Sequence, residues 1–163
     1  MNRQQSLLAL TLREAQVPLS VKTFDDRLVL QKAVYLLQAA NIHLGYRYRW
    51  YLRGPYSTEV ASDAFFIVGQ NETLNEELKR WVVDDTSRQR IEQLKPLFTP
   101  NGRRPISQRL ELLASVLFLL KTNQAEASAP DNIARILKIN DKPFNEQDVQ
   151  EALAELRQYD LVV

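Results

Sequence analysis

A chain of 163 residues with 45% hydrophobic and 25% charged side chains has the balance of one globular domain, or of one domain with a small appendage. Lys and Arg number 21 against 20 Asp and Glu, so a formal charge of +1 excludes any bulk electrostatic attraction to nucleic acid or to an anionic membrane, and a basic surface has to be local. Cysteine is absent, which excludes disulfides and thiolate chemistry and fits a reducing compartment.

Residues 7–12 form a short apolar run without a small-residue cleavage site, and no run approaches the ~20 residues of a membrane helix. The expectation is a soluble, cytoplasmic protein with no membrane partner.

In chain order, residues 3–15 read as a helix carrying Leu7, Leu8, Leu10, Leu12 and Ala15. Pro18 lies in a loop. Thr23-x-x-Asp26 has the form of a capping box and opens a second helix that runs to about Ala40. On its wheel Arg27, Gln31 and Gln38 make one narrow polar stripe with Tyr35 beside it, and nearly everything else is apolar. Such a helix is central and buried. Lys32 falls within the apolar sector, so it has to reach an edge or find a partner.

Residues 46–57, YRYRWYLRGPYS, alternate with a period of two. Tyr46, Tyr48, Trp50 and Leu52 fall on one face, and Arg47, Arg49, Tyr51 and Arg53 on the other. The pattern predicts a half-buried strand ended by Gly54-Pro55. Ser57 then caps a helix over 58–68, with Glu59 in its first turn. Residues 74–83 and 87–95 read as two short helices, the second ended by Pro96.

Residues 99–105, TPNGRRP, are the clearest loop and mark a boundary between a helical subdomain, 1–100, and a winged-helix-like subdomain, 101–163. The latter holds an apolar helix over 106–122, a short helix over 131–137 and a helix over 146–159. Asn145 caps that last helix, and Phe144 is placed to staple onto Val149. Residues 161–163 read as a terminal strand. The fold class is mainly α with a small antiparallel β element.

Catalytic constellations are hard to assemble. His43 is the one histidine and lies just past a helix end, where a structural role suits it; no phosphate-binding glycine loop occurs. The Asp25/Asp26 and Asp84/Asp85 pairs read as helix caps, and no cofactor or metal site is expected. The arginine row is the functional candidate. Guanidinium groups two residues apart on a strand stand roughly 6–7 Å apart, a spacing that can follow phosphates, and Tyr51 can stack a base. The competing reading is a solvated face whose arginines pair with nearby carboxylates. Arg103, Arg104, Lys138 and Lys142 could extend a basic surface. The exposed residues of the last helix, Glu146, Gln147, Asp148, Gln150, Glu151, Glu155, Arg157 and Gln158, are acidic in sum. That argues against groove reading by this helix and suits a protein partner or DNA mimicry.

The motifs LQKxxYLLQ, residues 30–38, and RGPYS, residues 53–57, resemble the SocA-like (Panacea-domain) antitoxin group and its YwgA-like bacterial relatives. The resemblance covers mainly residues 25–65, and the GPYS continuation favours the YwgA-like branch. On it, Gln31, Lys32, Tyr35, Arg53, Gly54, Pro55, Tyr56 and Ser57 match the family motif. It implies a mostly helical, non-enzymatic protein that acts by binding proteins, as an antitoxin or as an adaptor in toxin–antitoxin or antiviral defence systems. The expected partner is therefore a toxin or a defence or regulatory protein, with nucleic acid as the alternative and a homodimer left open.

Overall fold

Helix starts follow their caps closely. In the computed structural model, which describes residues 1–163, helices α1 (Arg3–Glu14) and α2 (Phe24–Ala39) both open on reciprocal capping boxes. Asn2 pairs with Gln5 in the first, and Thr23 with Asp26 in the second. Asp26 Oδ2 also accepts from the Ser20 hydroxyl at 2.7 Å; that bond and those from Thr23 hold its carboxyl below the usual range.

A two-stranded antiparallel hairpin follows, β1 (Arg49–Tyr51) and β2 (Gly54–Tyr56), with Leu52 and Arg53 at its tip. Helix α3 (Thr58–Gly69) starts on Ser57, whose hydroxyl accepts the Val60 N–H at 3.2 Å. Helices α4 (Leu74–Leu78) and α5 (Asp85–Leu94) are short, and a 3₁₀ turn, Lys95–Phe98, carries the chain on. Helices α6 (Ile106–Lys121), α7 (Pro130–Ile139) and α8 (Glu146–Gln158) complete the molecule. It is mainly helical with one small antiparallel sheet.

The nearly all-apolar composition of α2 and α6 puts them at the centre, packed extensively on each other. Ala33, Val34, Leu36 and Leu37 meet water nowhere, and neither do Leu110, Ala114, Val116 and Leu117. One hydrophobic cluster of 41 buried residues takes members from both sides of the 99–105 loop. No helix is long and apolar enough to cross a membrane.

Several expectations need correction. The strand covers 49–51 rather than 46–52, because the Gln38 side chain takes both backbone groups of Tyr46 and leaves none for a ladder. Gly54-Pro55 does not end the sheet but forms its second strand. Pro55 lies opposite Trp50 in the register, and its carbonyl is taken by Lys32 rather than by β1. Leu52 turns outward at the hairpin tip instead of inward. Helix α4 stops at Leu78, short of Val83. Pro96 enters the 3₁₀ turn, where its missing N–H is tolerated near the N-terminus. Residues 161–163 form no strand: Asp160 is left-handed at φ 56°, and the Leu161 N–H bonds back to Leu156 O at 2.9 Å.

Candidate functional site

Two turns of α2, from Gln31 to Gln38, hold the segment that precedes α3. Gln31 and Gln38, two turns apart on one stripe, each clamp both backbone groups of a single residue. Gln31 Nε2 donates to Ser57 O at 2.8 Å, while Ser57 N–H donates to Gln31 Oε1 at 3.0 Å. Gln38 Nε2 donates to Tyr46 O at 3.0 Å, and Tyr46 N–H donates to Gln38 Oε1 at 2.8 Å. Between the clamps, the Tyr48 hydroxyl donates to Gln31 O at 2.9 Å. Tyr35 meets Tyr48 edge-on at 5.1 Å and Phe118 at 6.1 Å. Burial pushes the phenols of Tyr35, Tyr46 and Tyr48 up, the Tyr46 shift being helped by its bond to Asp63.

Beneath the hairpin lies a buried ionic group. Lys32 is 1% exposed and donates to Pro55 O at 2.6 Å. Desolvation, offset in part by the Glu111 charge and reinforced by Lys142, lowers its ammonium to about 7. Lys142 pairs with Glu111 at 3.2 Å, donates to Leu52 O at 3.1 Å, and stands 5.2 Å from the centre of the Trp50 ring. Burial lowers Lys142 as well, against the pull of Glu111. Lys142 is therefore a structural tether of the hairpin and not part of a basic surface. Gly54, at φ +92°, covers Ser115: a Cβ there would stand 2.4 Å from Ser115 Oγ, a buried hydroxyl with no hydrogen-bond partner.

Beside this group, α2, α3 and the hairpin tip enclose an open cleft of ≈ 520 Å³. Phe24 and Leu28 form one wall, Phe65 and Ala64 another, and Tyr51 and Leu52 the third. The stems of Gln31 and Lys32 reach its floor. Its volume lies within the range of ligand sites, and three basic side chains, Arg27, Lys32 and Arg53, line it with no carboxylate. Arg27 donates to Val21 O at 3.0 Å, and Arg53 lies over the Phe24 ring at 5.8 Å. No protein-family model, curated protein or solved structure matches this chain.

The sequence candidates divide accordingly. Gln31, Lys32, Tyr35, Gly54, Pro55 and Ser57 are all buried around the hairpin base, where Gln31 bonds Ser57 and Lys32 bonds Pro55 while Tyr35 contributes ring packing. Arg47, Arg49 and Arg53 are exposed, and none reaches a carboxylate. Tyr51 and Tyr56 pack on each other at 5.5 Å, and only Tyr51 and Arg53 of the outward row belong to the cleft along with Tyr56. His43 is exposed between α2 and β1. No group of three or more His, Asp or Glu side chains is placed to hold a metal.

The acidic face of α8 is smaller than the sequence suggests. Asp148 is 2.8 Å from Arg104, and Glu155 pairs with the largely buried Arg109. Burial pushes Asp148 up, but the Asn145 N–H and Arg104 outweigh it and hold the carboxyl low. Arg104 is thereby a structural partner of α8. The wall residues Phe24 and Phe65 do not stand out in the sequence. The signals that point to them are a phenylalanine at the first position after a polar cap and a Phe65-Phe66 pair in a helix that buries only one face.

Proposed function

We propose that this protein is a non-enzymatic, protein-binding regulator of the antitoxin-like or defence-associated kind, and that the cleft between α2, α3 and the hairpin tip is where it binds. One observation carries the reading. Eight large hydrophobic side chains are exposed, and four of them, Phe24, Tyr51, Leu52 and Phe65, line this single cleft. Apolar surface gathered around a concavity, with tyrosine and arginine at its edge, is the composition of a protein-interaction site. The motif resemblance points to the same class of activity. The test compares wild type with a Leu52→Asp/Phe65→Asp variant whose fold is checked by circular dichroism. A specific partner recovered from the native host by the wild type and lost by the variant supports the reading. Identical recovery by both rejects it.

The second reading is a nucleic-acid-binding regulator. It is favoured by the absence of carboxylate partners for Arg47, Arg49 and Arg53, which leaves their charges available to phosphates. Its test is the salt dependence of binding by an Arg47→Ala/Arg49→Ala variant.

A further inference from the structure

We infer that the segment received by this cleft is an apolar anchor, aromatic or long aliphatic, flanked by aspartate or glutamate. The inference rests on the protein-binding reading and adds the chemistry of the partner. Two features of the cleft select it.

The first is the extent of the apolar surface. Leu52 is 76% exposed, Tyr51 56%, Phe24 55% and Phe65 54%. A small molecule filling the ≈ 520 Å³ interior would leave these outer faces wet. A polypeptide with one anchor inside and backbone across the rim covers them, and exclusion of water around an anchor is how such sites gain affinity.

The second is charge. The cleft is lined by Arg27, Lys32 and Arg53 and by no acidic side chain, in a chain whose overall charge is only +1. Asp26, in the first turn of α2, is outside the lining and occupied by Ser20 and Thr23. Lys32 is committed to Pro55 O and Arg27 is tied by one N–H to Val21 O, whereas Arg53 is exposed at the mouth and makes no hydrogen bond within the chain, so it is the cation most open to a partner. A guanidinium at the exposed hairpin tip, already stacked on Phe24, is placed to fork a carboxylate that follows an anchor into the cleft. A cationic flank would meet Arg53 at the edge of a low-dielectric cleft and be repelled, so the same geometry sets preference as well as affinity.

The experiment is a selection of random phage-displayed peptides on the full chain, counter-selected with the folded Leu52→Asp/Phe65→Asp variant. The expected survivors carry Phe, Trp, Leu or Ile next to Asp or Glu. A synthetic survivor should lose about tenfold in affinity for Arg53→Glu, and its Lys-flanked counterpart should prefer Arg53→Glu to wild type. Cleft-dependent peptides without acidic enrichment, or acidic ones indifferent to Arg53→Glu, overturn this inference and leave the protein-binding reading standing. If no peptide depends on Leu52 and Phe65, both fall.

Discussion

The ammonium of Lys32 stands 2.6 Å from the carbonyl oxygen of Pro55, joining the driest part of α2 to a proline strand. A proline cannot donate to a ladder, and here its acceptor is taken by a side chain from behind the sheet instead of by a strand beside it.

The burial of that ammonium makes stability depend on pH. Burial first of all, with Lys142 adding to it against Glu111, lowers Lys32 to about 7 from 10.5. The unfolded chain therefore binds more protons than the folded one between those values, and stability rises with pH across pH 7–10. Lys142, also lowered, adds in the same direction. Tyr35, Tyr46 and Tyr48 are raised, so the folded chain keeps protons that the unfolded one loses, and they reverse the gain above about pH 10. Urea midpoints should climb from pH 7 to pH 9.5 in the wild type, and the slope should fall by at least about half in Lys32→Met. An equal slope in both chains contradicts the assignment.

Gly54→Ala should be among the most damaging small substitutions. Its φ of +92° is strained for any side chain, and the new Cβ meets Ser115 Oγ at 2.4 Å. Together these cost on the order of 2–4 kcal/mol. Ser115→Ala alone should be neutral or stabilising by about 1 kcal/mol, since it removes a buried hydroxyl without a partner. In the double variant part of the Gly54→Ala loss should return, because the clash goes and the backbone strain stays. Additive thermal shifts across this cycle would show that the two residues do not touch.

Gln31→Leu leaves the buried Ser57 N–H without a partner and its carbonyl with the Ala61 N–H alone. A loss of about 1–3 kcal/mol is expected, measured by denaturant unfolding. Gln31→Glu keeps the acceptor and loses the donor, so it should restore only part of that and should worsen as pH rises through the carboxylate range. Full rescue by Gln31→Glu would contradict the two-way clamp.

If single-stranded nucleic acid is the ligand, Arg47→Ala/Arg49→Ala should lower the slope of log affinity against log salt by about 1.4, roughly 0.7 for each phosphate left without its guanidinium. Both arginines are exposed and unpaired, so the fold should be unaffected. An unchanged slope in a single-stranded DNA titration removes this reading.

Much of the architecture is legible in the sequence because its signals are local. The caps at Thr23, Ser57 and Asn145 act within three residues, and each sits where the pattern places it. The apolar wheel of α2 predicts burial, and the misplaced Lys32 predicts a hidden partner. The hairpin is not legible in the same way, because alternation over 46–52 is equally produced by an extended segment clamped by a helix. Nothing local announces that Gln38 substitutes for a strand. The free charge on α8 is overstated by sequence for a related reason: Arg104 and Arg109 lie far away in the chain, and only packing brings them to Asp148 and Glu155. The cleft is invisible in sequence because α2, α3 and the hairpin tip meet only in three dimensions.

Gln31 and Gln38 grip the two ends of the hairpin excursion from a single rigid rod, so the span between their grips does not depend on what the excursion itself contains. The tip has one further anchor, the bond from Lys142 Nζ to Leu52 O, and that bond is made to backbone, so it does not depend on which side chains stand at 52 and 53. The side chains at 52 and 53 can therefore be exchanged without touching either grip on α2, so the chemistry shown at the rim can be altered one residue at a time while the seat of α3 stays as it is.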